Sequence, residues 1–200
     1  TGASMWYKNV TDESGNVTKT PVTDYNDADY YLCGDPTPEL YGGFGTSLTY
    51  KGFDFAASFT YSIGGLAYDS GYAAYMSSPS AGKEGANFHK DMLNAWTPEN
   101  KDTDIPAFYY NELYAAATSD RFLIDASYLN FQNAQIGYVL PEHITRKFKV
   151  SRLRVYAACD NIVYWSHRKG LDPRFSLTGT TNNAVNSPVR TLSGGINITF

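Results

Sequence analysis

The sequence has no run of about 18 or more apolar residues, so no segment can cross a bilayer as a helix, although spanning strands stay open. It has no excess of basic charge. Sixteen Lys and Arg face 20 Asp and Glu, for a net charge of −4. A nucleic-acid binder needs a basic face, so that partner class is excluded. Charged residues make up only 18% of the chain, below the roughly 25% of soluble globular proteins. There are two cysteines, Cys33 and Cys159, with no CxxC, metal spacing or disulfide framework, so they read as unrelated thiols. The chain opens at Thr1 without a basic, apolar, small-residue signal segment, and is expected to be mature, trimmed or a fragment.

Catalytic patterns are also missing. His89, His143 and His167 show no metal spacing and no HExxH. Ser58, Ser127 and Ser166 lack a GxSxG context. Gly42, Gly43 and Gly45 precede a strand pattern rather than a helix, which argues against a phosphate loop. No pair of carboxylates is singled out for glycoside hydrolysis. The chain is therefore expected to be no enzyme, with no catalytic residue, metal site or cofactor. Asn9, Asn16 and Asn197 begin Asn-x-Thr sequons, which read as chance matches.

What is abundant is aromatic: 17 Tyr, 11 Phe and 3 Trp in 200 residues. Residues 1–43 are polar and turn-rich, and Asp12–Asn16 reads as a hairpin tip. Asp24, Asn26, Asp27 and Asp29 form an acidic cluster. An EF-hand loop needs a ligand where Ala28 stands and Gly where Asp29 stands, so a solvated loop is expected. From Phe44 the period becomes two. Phe44, Thr46, Leu48 and Tyr50 share a face, and Lys51-Gly52 supplies a tight turn. Phe53, Phe55, Ala57, Phe59, Tyr61 and Ile63 then oppose Asp54, Ala56, Ser58, Thr60 and Ser62. Gly64-Gly65 breaks the strand, and Ser77–Ser80 is loop chemistry. Phe88, Met92, Leu93 and Trp96 fall at helical spacing, which predicts a short helix over about 86–95, ended by Pro98.

Strand pattern returns over 122–140. Leu129 and Phe131 share one parity and Ala134, Ile136 and Tyr138 the other, which places a β-bulge at about 132–133. After Pro141, residues 141–151 form a basic connection. Leu153, Val155, Ala157, Cys159 and Val163 share the next face, and Tyr164-Trp165 at its far end reads as part of an aromatic girdle. A loop spanning 166–188 holds Gly170, Gly179 and the polar run Thr180–Asn183. In the last strand, Arg190, Leu192, Gly194, Ile196, Ile198 and Phe200 oppose Thr191, Ser193, Gly195, Asn197 and Thr199. One lipid-like face, one small polar face and alternating short and long connections match a transmembrane barrel wall. They predict strands over about 44–50, 53–63, 122–140, 152–165 and 189–200, a leading external segment 1–43 and external loops 64–121 and 166–188. The Lys51 and 141–151 turns and the C-terminus are then periplasmic.

The segments Tyr41-Gly42-Gly43-Phe44, Tyr50–Asp54, Trp96–Asn100, Ser127-Tyr128-Leu129, Gly137–Pro141, Leu153–Tyr156, Asp160-Asn161 and Gly170–Pro173 resemble, in order and spacing, the C-terminal region of SusC-type TonB-dependent outer-membrane transporters of Bacteroidetes. The resemblance covers about residues 24–200. The terminal Gly195, Ile196, Ile198 and Phe200 resemble the signal read by the barrel-assembly machinery. Departures stand at Asn130 and Gln132, where relatives often carry basic residues, and at Cys159-Asp160. They remove any basis for naming the substrate.

The resemblance implies an all-β fold, the C-terminal antiparallel strands of a barrel of about 22 strands with a plug that this chain does not hold. About five strands cannot close a barrel, and open edges in lipid cost several kcal/mol per backbone group, so the rest of the wall must lie elsewhere. It also implies import of oligosaccharides or peptides, a SusD-type lipoprotein lid, TonB acting through the plug, and a Gram-negative outer-membrane location. Tyr72, Tyr75, Trp96, Tyr109 and Tyr110 in the long loop are candidate ligand or lid contacts; packing the loop on itself is the alternative. A secreted soluble β-sandwich, a carbohydrate-binding or adhesin module, would explain the aromatic content and alternation but not the uncharged polar faces or the loop lengths. A plain porin would lack these family segments.

Overall fold

The computed structural model describes residues 2–79, 85–112, 114–168, 171–175 and 188–200, with the Phe175 side chain left out. Ser80, Gly170, Gly179 and Thr180–Asn183, and so most of the expected loop 166–188, lie outside the described residues. The strands are β1 (Trp6–Thr11), β2 (Val17–Val22), β3 (Leu40–Tyr50), β4 (Phe53–Ile63), β5 (Leu66–Tyr68), β6 (Leu123–Asp125), β7 (Tyr128–Val139), β8 (Arg152–Ser166) and β9 (Thr191–Thr199). Two short helices are α1 (Ser70–Tyr75) and α2 (Glu142–Thr145). The chain forms two compact units, one of residues 1–34 and 68–123, the other of residues 35–67 and 124–200.

The second unit is an antiparallel sheet in the order β3-β4-β7-β8-β9. Lys51 and Gly52 join β3 to β4 with φ of 46° and 87°, the two left-handed positions of a tight hairpin turn. Gly52 meets that demand without strain. Beyond the turn, Tyr50 pairs with Phe53 and Leu40 with Ile63 without a slip. The β3 ladder starts four residues before the first alternating aromatic because Leu40–Gly43 finds partners in Tyr61, Ser62 and their neighbours. The phase flip in β7 is a bulge. Ser58 pairs with Asn133 and Phe59 with Phe131, which leaves Gln132 as the extra residue. In β8, Asn161 has φ of 51°, a conformation that Asn tolerates better than most residues. The basic connection holds α2 and a 3-10 turn at Arg146–Phe148, closed by Lys149 at φ 58°.

In the first unit, β1 and β2 pair from Trp6–Val22 to Thr11–Val17. Asp12 Oδ1 closes the hairpin by accepting from the Ser14 and Asn16 N–H groups, at 2.9 and 2.8 Å. The acidic cluster is a 3-10 turn, Tyr25–Asp27, capped by Asp24, and Asp29 Oδ2 accepts from the Asn9 N–H at 2.7 Å. This unit has its own small core of Ala73, Met76, Ala95, Ile105 and Phe122, with Tyr68, Tyr72 and Met92 packed against it. The helix expected over 86–95 is not formed. A 3-10 turn covers Lys90–Asn94, and the α-helix of this region is α1, capped by the buried Asp69. The helical spacing fails because Met92 packs inward while Leu93 is 89% exposed.

Candidate functional site

The five-stranded sheet separates two chemistries. On one face Phe44 stacks on Phe59 at 4.9 Å and Phe59 on Phe131 at 4.4 Å. In register with these rows lie Ile136, Ala157 and Gly194, then Tyr138, Val155 and Ile196. Leu192 is 79% and Ile196 61% exposed, so the apolar face is open from β3 to β9. The strands run 9 to 15 residues, at or above the 9–11 that cross a bilayer. Trp165 lies on this face opposite Leu129. Tyr164 does not: it pairs with Asn130 on the other face, and the Arg174 guanidinium lies 4.9 Å over its ring. Of this pair, Trp165 alone lies on the apolar face.

The other face is polar but carries charge, unlike the uncharged face expected from sequence. Arg154 Nε donates to Asp54 Oδ1 at 2.9 Å, and Nη2 donates to Oδ2 at 2.5 Å. Asn133 Nδ2 donates to Asp160 Oδ1 at 2.6 Å, and Asn130 Nδ2 to Thr60 Oγ1 at 3.3 Å. Asp54 on β4 and Arg154 on β8 meet across β7 because Gly137 stands between them. A Cβ there would fall 2.5–2.7 Å from their atoms. Beyond β8, Asp172 and Arg174 form a pair whose side chains are 4% and 14% exposed, with Arg174 Nε donating to Asp172 Oδ1 at 2.7 Å. The Asp172 carboxylate, by hydrogen bond and charge, raises the Arg174 pKa.

The first unit contains a cavity of about 510 Å³. Its aromatic wall is continuous: Trp6 meets Tyr25 edge-on at 5.0 Å, and Tyr25 stacks on Tyr114 at 5.5 Å. Tyr30, Tyr31, Tyr68 and Trp96 also line it. The Tyr31 hydroxyl donates to Asp120 Oδ2, which together with burial raises its pKa to about 12. Burial lowers the pKa of the lining guanidinium of Arg121, whose partner is the ring of Phe122 at 5.3 Å.

Of the loop aromatics singled out from sequence, Trp96 lines the cavity. Tyr72 packs on the unit's core and donates to Asp91 Oδ2 at 2.9 Å. Tyr75, Tyr109 and Tyr110 are exposed and do not line the cavity. Sequence reasoning missed Trp6, Tyr25, Tyr30, Tyr31, Tyr68 and Tyr114, which belong to distant segments without periodicity. Of the terminal residues, Ile196 and Ile198 lie on the apolar face, Gly195 lies against the Tyr156 hydroxyl on the polar face, and Phe200 is 87% exposed.

No family model matches the chain. It is similar to TonB-dependent receptor P3 of Formosa agariphila, with 32% identity over 183 residues. That match covers 86% of this chain and 17% of the receptor. TonB-dependent receptor P26 of the same organism is 25% identical over 181 residues, covering 86% of this chain and 18% of the receptor. Among solved structures, the RagAB peptide importer in its closed-closed state aligns over 98% of this chain and 22% of its own, with a TM-score of 0.75 and 26% identity. Its open-open state aligns over the same shares with a TM-score of 0.71 and 25% identity. The chain thus spans about a fifth of the length of these proteins.

Proposed function

We propose, from the membership of this chain in the SusC-type TonB-dependent outer-membrane receptors, that it supplies wall strands and external loops to a transporter importing oligosaccharides or peptides. The observation that carries this reading is the open apolar face, unbroken over five strands, opposite a face of polar side chains and one ion pair. Lipid covers the first and an aqueous lumen wets the second. A soluble sandwich would bury this face under a second sheet, whereas Phe44, Leu48, Ile136, Leu192 and Ile196 on it are exposed. The named relatives are receptors and importers, in keeping with a protein that is no enzyme.

Residues 1–43, 64–121 and 166–188 are the external segments of this reading, and the Lys51 turn, the 141–151 connection and the C-terminus are periplasmic. Gly195, Ile196, Ile198 and Phe200 form the signal presented to the barrel-assembly machinery. The partners are the remaining wall and plug, TonB through that plug, and a SusD-type lipoprotein lid facing the exposed Tyr75, Tyr109 and Tyr110.

An epitope inserted at Gly15, which has open space around it, tests the topology in the full-length protein. Intact cells should bind the antibody, and the outer-membrane band should be several times larger than 22.1 kDa. A soluble 22.1 kDa species with no membrane signal would overturn the reading.

A further inference from the structure

The charged groups around the five-stranded sheet are sorted by end. Lys51 in the β3–β4 turn, Arg146, Lys147 and Lys149 in the connection after β7, and Arg152 opening β8 stand at one end. The two acidic residues there, Asp54 and Glu142, are each held by an arginine, Arg154 and Arg146. Asp35, Glu39 and Asp125 flank β3, β4 and β7 at the opposite end. A chain of net charge −4 thus keeps a surplus of cations along one rim. The same rim ends the apolar face with a row of rings. Tyr50 pairs with Phe53 and Phe53 with Tyr138, and the Phe53 and Tyr138 ring centroids lie 4.4 Å apart. Val155 and Ile196 continue the row across β8 and β9. The Lys51 ammonium lies 5.2 Å from the centroid of the Tyr50 ring, so this cation stands on the apolar side. Phe148, between Lys147 and Lys149, is 73% exposed.

We propose that this rim binds the headgroup of an anionic phospholipid, with Lys51, Lys147 and Lys149 around its phosphate and an acyl chain lying along Tyr50, Phe53 and Tyr138. The inference rests on the reading of the apolar face as lipid-facing and names a partner for that face. Three features select the occupant. Aromatic rings in a row at one end of an apolar strand face are suited to the depth where acyl chains meet headgroups. A lysine there lays its stem along the rings and lifts its ammonium to the phosphates. The cations outnumber the carboxylates, and both carboxylates are already neutralised, so a headgroup of net negative charge is attracted. A zwitterionic headgroup brings its own ammonium against Lys51, Lys147 and Lys149 and gains less. An acidic protein segment would match the charge but would leave the Tyr50–Phe53–Tyr138 row uncovered, whereas one lipid satisfies both.

The test is native mass spectrometry of the full-length protein in detergent, titrated with phosphatidylglycerol, phosphatidylcholine or lipid A. Phosphatidylglycerol should bind more tightly than phosphatidylcholine. Lys51→Gln should weaken it about fivefold, and Lys147→Gln with Lys149→Gln by about that factor for each lysine lost. Lys51→Arg keeps the charge and should bind like the parent. Lys101→Gln removes an exposed lysine from the other unit and should also bind like the parent. Heat resistance by gel mobility shows that each variant has assembled. Equal binding of the two phospholipids, a preference unchanged in the Lys51, Lys147 and Lys149 variants, or an equal loss in Lys101→Gln would overturn the proposal. So would a Lys51-dependent preference for lipid A with none for phosphatidylglycerol. Surface labelling at Gly15 and the outer-membrane band decide the transporter reading by themselves. A protein that passes those assays and shows no headgroup preference overturns only the lipid site.

Discussion

The Tyr31 hydroxyl hydrogen-bonds to the carboxylate of Asp120, 89 positions further along the chain, and so ties the leading hairpin segment to the long loop inside one unit. The hydrogen bond and the adjacent negative charge both favour the protonated phenol, and its pKa is raised to about 12. The ordinary value is about 10. The folded unit therefore holds this proton over a pH range in which the unfolded chain has released it. The stabilising contribution is complete below about pH 10 and is lost as the pH rises through about 12. Tyr31→Phe should loosen the 1–34 segment by an amount that is constant from neutral pH to about 10 and vanishes towards 12. Hydrogen exchange at a series of pH values checks this. A difference that persists unchanged beyond pH 12 would contradict it.

Gly2 has φ of 69°, and the Trp96 ring lies against its α-carbon. A methyl group there would lie 2.6 Å from Trp96 Cδ2 and 2.9 Å from the Ala107 methyl. Gly2→Ala must therefore displace the indole, at an overpacking and backbone cost of about 1–3 kcal/mol. The change should appear locally. The Trp96 N–H, which donates to Ile105 O at 2.9 Å, and the Ala107 N–H, which donates to Gly2 O at 2.7 Å, should exchange faster. Unchanged protection of both amides would show that the glycine is not needed.

The strands of the five-stranded sheet were legible in the sequence because period two has one physical cause, a sheet with one apolar and one polar face. Lys51-Gly52 and the parity flip around Gln132 are local signals and locate a turn and a bulge within a residue. The Asp54–Arg154 pair was not legible, because it bridges two strands across a third and depends on Gly137 having no side chain. The loop unit was least legible. Phe88, Met92, Leu93 and Trp96 have helical spacing, yet the chain there is held by side-chain bonds such as Tyr72 to Asp91 and forms only a 3-10 turn. Trp6, Tyr25, Tyr68 and Tyr114 meet around one cavity through tertiary packing, which leaves no periodic trace.

Gly137 offers a test of the polar face. Gly137→Ala places a methyl group 2.5–2.7 Å from Arg154 and Asp54 atoms, so the bidentate pair must open. The full-length barrel in detergent should lose heat resistance by gel mobility. Gly137→Ala combined with Arg154→Ala should recover part of it, because the clash goes with the guanidinium. Equal losses in the single and double variants would mean that the steric account is wrong.

Adjacent residues of β9 give the sharpest contrast between the two faces. Ile196 pairs with Val155 on the apolar face, and Asn197 pairs with Arg154 on the polar one. Arginine on a lipid-facing site costs about 2–4 kcal/mol near the bilayer midplane and much less near an interface, whereas a lumen site is wet. Ile196→Arg should therefore reduce the heat-resistant, membrane-assembled fraction, and Asn197→Arg should leave most of it intact despite adding the same charge one residue away. Ile196→Val keeps the apolar surface and should assemble like the parent, which separates lipid exposure from recognition of the terminal strand by the assembly machinery. If Asn197→Arg proved as damaging as Ile196→Arg, the facing of β9 would be wrong, and with it the assignment of lipid and lumen across the whole sheet, since every strand is in register with the next.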